Sequence, residues 1–163
     1  MSAASPHRSD AATPDGRGRR IGVVAARFNA GVCDRLLAGA RRALRAAGTA
    51  DADVVEVRVP GAVELPLAAQ RLLDASGGRC DAVVALGCVI RGETSHYDVV
   101  CRMAADGLMR ASLDARRPVA FGVLTCDHES QAWARAGDGP DNKGYEAALV
   151  ALEMLAVADG LSR

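Results

Sequence analysis

Residues 82–96 read Ala-Val-Val-Ala-Leu-Gly-Cys-Val-Ile-Arg-Gly-Glu-Thr-Ser-His. From Ala82 to Ile90 no side chain is polar. A strand without polar alternation has to be covered on both faces, which is the setting of a parallel sheet packed between helices. Arg91-Gly92 ends the apolar run, and Thr94 or Ser95 then opens a helix. The same alternation extends in both directions. Ile21 to Ala26 reads as a first strand, and Val32 to Ala47 as a helix stopped by Gly48. Val54 to Val59 is a second strand ended by Pro60-Gly61, and Ala62 to Ala75 a helix with Pro66 in its first turn. Thr94 to Ala115 is a long helix, and Val119 to Leu124 a fourth strand. Glu129 to Ala136 and Asn142 to Ala158 are the last two helices. The expectation is a three-layer α/β/α sandwich with a central four-stranded parallel sheet and right-handed crossovers.

Around this core, 163 residues fit one domain at roughly 100–200 residues per domain. Residues 1–19 are polar and broken by Pro6, Pro14, Gly16 and Gly18, and read as a flexible arm before a single domain over 20–163. Net charge is zero, which gives no electrostatic footprint for nucleic acid or an anionic membrane. No apolar run approaches the roughly 18 residues of a span, and no apolar leader is visible, so a soluble cytoplasmic protein is expected. The five cysteines contain no C-x-x-C pair, and read as small buried hydrophobes in a reducing compartment.

In an open α/β sheet ligands bind beyond the carboxyl ends of the strands. The residues there are Arg27-Phe28-Asn29 after strand one, Gly61-Ala62-Val63-Glu64 after strand two, Gly92 to His96 after strand three and Thr125 to His128 after strand four. The scarce residue types Phe28, Asn29 and His96 fall on this one edge. The turn at Gly92 followed by a helix start at Thr94 or Ser95 is a ready anion site. His96, in that first turn, is a candidate for proton transfer or, alternatively, a surface histidine bonded to its loop. Glu64 is either a carboxylate complementing a helix start, worth about 0.3–1 kcal/mol, or an acceptor for a polyhydroxylated ligand. Arg135 either complements the end of a short helix or clamps a phosphate with its planar fork. Lys143 is by default a turn residue. Neither G-x-x-x-x-G-K-[ST] nor G-x-G-x-x-G occurs, which argues against a Walker-type or a dinucleotide site. Cys126, His128 and Glu129 lack a distant fourth ligand, so no metal is expected.

Taken together, Arg27-Phe28-Asn29, Val59 to Pro66, Leu86 to Tyr97, Arg135-Ala136-Gly137 and Asn142-Lys143-Gly144 resemble the lumazine synthase family in order and spacing. The resemblance covers about residues 20–158, and its G-x-V-I-R-G-x-T-x-H-Y block is highly specific. It implies a flavodoxin-like fold and the penultimate step of riboflavin biosynthesis. There 5-amino-6-(D-ribitylamino)uracil condenses with 3,4-dihydroxy-2-butanone 4-phosphate without metal or organic cofactor. By this resemblance Phe28 stacks on the pyrimidine, Ala62, Val63 and Glu64 hold the ribityl chain and ring, and Cys88, Val89 and Ile90 line the pyrimidine pocket. Glu93 and Thr94 meet the phosphate with Arg135 as clamp, and His96 transfers protons. Phe121, Arg135 and Lys143 come from a neighbouring subunit. The resemblance also implies a homopentamer, in some members twelve pentamers forming a hollow shell, with riboflavin synthase as a candidate partner. Val63 stands where an aromatic is frequent, and Thr125-Cys126-Asp127-His128 departs from the usual run, so no role is assigned there. Pro140 in the Arg135 to Gly144 loop is unusual for a shell-forming member. Two other readings remain, a flavin-binding homologue without turnover and an unrelated flavodoxin-like module.

Overall fold

A computed structural model describes residues 12–74, 76 and 79–162. The larger part of the expected arm, residues 1–11, lies outside the described residues, as do Ala75 and Arg163. Four strands, β1 (Ile21–Ala26), β2 (Val54–Val59), β3 (Ala82–Ile90) and β4 (Val119–Cys126), form one parallel sheet in the order β2-β1-β3-β4. The helices are α1 (Ala30–Ala46), α2 (Leu65–Leu73), α3 (His96–Ala115), α4 (Glu129–Arg135) and α5 (Lys143–Leu161).

β1 is buried at all six positions and β3 from Ala82 to Cys88, as a centre between two layers requires. β2 differs. Glu56 and Arg58 are exposed on this outer strand, where they pair with Arg41 and Asp34. Its Val-Val-Glu-Val-Arg-Val alternation is that of an edge covered on one face only. α1 and α5 pack against each other on one side of the sheet, α2 and α3 on the other. This follows from the connections. β1 to β2 runs outward in one direction, while β2 to β3 crosses β1 in the opposite direction, so right-handed crossovers put α1 and α2 on opposite faces. The reversal makes the carboxyl ends of β1 and β3 a topological switch point, where such sheets open a crevice.

Two details, one polar and one steric, fix the α1/α5 layer. Asn142 is fully buried. Its Nδ2 donates to Arg35 O at 3.1 Å and Gly137 O at 2.8 Å. Its Oδ1 accepts from the N–H groups of Gly144 (2.8 Å) and Tyr145 (3.1 Å), capping α5. At Gly144 a Cβ would sit 2.0 Å from Leu36 O, so the close approach of α5 to α1 requires glycine there.

The element ends refine the expectations. The helix after β2 begins with a 3-10 turn (Ala62–Glu64) before α2. α3 starts at His96 rather than Thr94, and α5 continues through Gly160 to Leu161. Of the expected arm, Gly16 is buried and its N–H donates to Ala47 O at 2.8 Å.

Candidate active site

The exits of β1, β2 and β3 surround a cavity of about 350 Å³. Phe28, a residue 71% exposed, forms one wall. An aromatic ring left so far outside the core is a stacking surface without an internal partner. The 3-10 turn after β2 supplies Ala62, Val63 and Glu64. Glu64 occupies the N-cap position of α2, where its charge complements the helix start although its side chain makes no capping bond. Its carboxylate is exposed and lines the cavity. Cys88, Val89 and Ile90 give the β3 wall, and Gly92, Thr94 and His96 the rim where α3 begins.

Thr94 Oγ1 accepts the His96 N–H at 3.3 Å, so the threonine side chain holds the first turn of α3. His96 itself is exposed, with its ring bordering the cavity. The loop before it is strapped from outside. Arg91 Nε donates to Asp127 Oδ1 at 2.7 Å, its guanidinium lies 4.2 Å from the Tyr97 ring centre, and its N–H donates to Cys126 O at 2.8 Å. The guanidinium holds the Asp127 carboxyl below the usual carboxylate range. Cys88 faces the cavity as a thiol, because burial pushes its pKa up to about 12.

A second cleft, of about 300 Å³, runs along the outer strand β4. Phe121, Arg135 and Lys143 line it, together with Glu146. Lys143 Nζ lies 2.7 Å from Glu146 Oε2, and Glu146 Oε1 is buried with no hydrogen-bond partner. Sequence reasoning passed over Glu146. Its signal was present as an acid three residues after Lys143, a spacing that pairs side chains on one helix face.

A profile of the family described as 6,7-dimethyl-8-ribityllumazine synthase matches residues 18–159. The chain belongs to the 6,7-dimethyl-8-ribityllumazine synthase family. It is 53% identical over 150 residues to the 6,7-dimethyl-8-ribityllumazine synthase of Kineococcus radiotolerans, covering 91% of this chain and 90% of that protein. It is 54% identical over 146 residues to the protein of the same name from Frankia casuarinae, covering 88% of each. A third so named, from Desulfatibacillum aliphaticivorans, is 46% identical over 147 residues, covering 90% of this chain and 94% of the relative.

Of the residues that the lumazine synthase resemblance singles out, one cavity brings together Phe28, Ala62, Val63, Glu64, Cys88, Val89, Ile90, Thr94 and His96. Glu93 is exposed in the adjoining loop and is not among the cavity's lining. Phe121, Arg135 and Lys143 form a group of their own in the second cleft. Tyr97 and Val100, on the first turns of α3, join the cavity wall without having been expected there.

Proposed function

We propose that the chain condenses 5-amino-6-(D-ribitylamino)uracil with 3,4-dihydroxy-2-butanone 4-phosphate, releasing phosphate and water to give 6,7-dimethyl-8-ribityllumazine. The observation that carries this reading is a single cavity at the sheet's switch point holding an exposed ring, a free carboxylate and an imidazole. The Phe28 ring offers a face for the pyrimidine, and the Cys88 to Ile90 strand end offers backbone groups to its edge. Glu64 accepts from the ribityl hydroxyls. The start of α3, held by Thr94 with Glu93 alongside, presents backbone N–H groups to the phosphate. The substrate amine attacks the ketone, an imine forms, phosphate departs and the ring closes. Each step needs proton transfer, positioning and an anion site, and His96 is the group placed to move the proton.

The same reading assigns the second cleft to a neighbouring copy. Arg135 is a phosphate clamp, Phe121 a second face for the pyrimidine and Lys143 a donor to the aminouracil. In one chain these three line a cleft separate from the cavity, which supports the reading that a second copy brings them to it. The exposed apolar stripe Val150, Met154 and Val157 on α5, and Met103, Met109 and Leu113 on α3, fit burial between copies. A cyclic homopentamer is the assembly proposed. Its packing into a shell is tested by sedimentation, where a pentamer alone dismisses the shell. The cytoplasm is the proposed location, and a riboflavin synthase the enzyme that would consume the product. The test is to mix both substrates with the protein. Lumazine absorbance rising above the spontaneous rate, with one phosphate released per product, supports the proposal. Tight flavin binding with no acceleration overturns it in favour of a binding homologue.

A further inference from the structure

The cavity's walls come from three separate strand exits, and a side chain outside the cavity ties two of them together. Asn29, between β1 and α1, has φ 56° and ψ 49°, the left-handed conformation that few residues other than glycine adopt. From there its Nδ2 donates to Cys88 O at 2.8 Å. The neighbouring Phe28 is held at both of its backbone groups. Its N–H donates to Pro60 O at 3.0 Å, and its carbonyl accepts from the Cys33 thiol at 3.3 Å. Burial raises the Cys33 pKa to about 11, so the S–H donor is present throughout the neutral range. The end of β1 is therefore tied to β2 by the Phe28 N–H and to β3 by Asn29, while the Cys33 thiol ties it to α1. Of these bonds, the only one made by a polar side chain of Phe28's own segment is that of Asn29.

We infer that Asn29 is a positioning residue. Without touching ligand, it sets the separation and tilt of the Phe28 ring relative to the Cys88 to Ile90 wall, and thereby the recognition of a flat heterocycle between them. This rests on the reading of the cavity given above. The competing view is that Asn29 serves only the tight turn, and then glycine, which adopts positive φ freely, would serve as well.

Asn29→Gly separates the two views, since it keeps the turn and removes the bond to Cys88. Asn29→Asp keeps the shape and the tolerance for positive φ, but sets an acceptor against the Cys88 carbonyl. For each variant and the parent we would measure both KM values, kcat, Tm and the Kd of the lumazine product by its fluorescence. With one partly buried hydrogen bond lost, Asn29→Gly is expected to raise the KM for the aminouracil and the product Kd roughly tenfold. The KM for the butanone phosphate stays within about twofold, and Asn29→Asp does at least as much damage to the aminouracil KM. Parental aminouracil KM and product Kd in Asn29→Gly overturn the inference, as does an equal rise of both KM values. The product Kd is read independently of turnover. A parent that binds the lumazine without forming it therefore defeats the proposed reaction and still tests Asn29, while a parent that does neither defeats both.

Discussion

Replacing Asn142 by alanine removes four hydrogen bonds at one fully buried point. Two of them cap α5, and losing an N-cap of this type costs about 1 kcal/mol. The other two end on the Arg35 carbonyl, which keeps its partner within α1, and on the Gly137 carbonyl, which when left alone costs about 1–3 kcal/mol. Some water will enter the space vacated, and the expected loss is about 2–4 kcal/mol. At roughly 2–4 °C per kcal/mol for a domain of this size, Tm should fall by about 4–16 °C. Urea unfolding and thermal melts at one fixed protein concentration measure this, since assembly makes Tm concentration-dependent. Asn142→Asp is the informative control. It keeps both capping bonds, loses both donors and turns a carboxylate toward two carbonyls, so it should be no more stable than the alanine variant. A loss below about 1 kcal/mol for Asn142→Ala, or parental stability in Asn142→Asp, would refute the claim that Asn142 ties α1, the α4–α5 loop and α5 together.

Three further outcomes are expected. His96→Ala should lower kcat about 10–100-fold rather than abolish it, because proximity supplies much of the acceleration, and steady-state kinetics with both substrates will show this. Arg135→Ala should raise chiefly the KM for the butanone phosphate, and an unchanged value contradicts a clamp. Thiols whose pKa values burial raises to about 11 at Cys33 and about 12 at Cys88 stay protonated at pH 8, so iodoacetamide should leave both unmodified in the native protein. Peptide mapping after alkylation checks this, and modification of Cys88 at the rate of an exposed thiol would contradict it.

The sheet was legible because its signals are local. Unbroken apolar runs fixed the limits of β1 and β3, and Pro60-Gly61 the end of β2. The edge position of β2 was written in Glu56 and Arg58, but the apolar residues between them masked it. α3 begins late because Thr94 spends its hydroxyl on the His96 N–H, so the threonine supports the helix from outside it. α5 outruns its expected end because Gly160 continues the helix instead of terminating it. In the candidate site, residues that follow β1, β2 and β3 converge, while Thr125 to His128 after β4 stay outside that cavity. What sequence spacing does not carry is which polar residue is buried. Asn142 reads only as the first residue of the last helix, and its burial shows once Gly39 and Gly144 are seen to make room for it and for the helix it caps. Nor does spacing say that Phe121, Arg135 and Lys143 gather in a cleft of their own, since that depends on the edge strand and α5 meeting in three dimensions. Trp133, unexplained by the motifs, is half-exposed, with its Nε1 donating to Glu129 at 3.0 Å and Arg35 over its ring.

The central claim is that one catalytic site combines the cavity of one copy with the basic cleft of another. Co-assembling His96→Ala and Arg135→Ala chains in equal amounts tests it most directly. If the two residues come from different copies, random head-to-tail neighbours make about one quarter of the sites fully parental, and at butanone phosphate well below its KM, where both variants are slow, lumazine formation should rise to about that fraction of the parent rate. If both residues of a site belong to one chain, every site keeps one lesion, and activity no higher than the mean of the two variants would contradict the account.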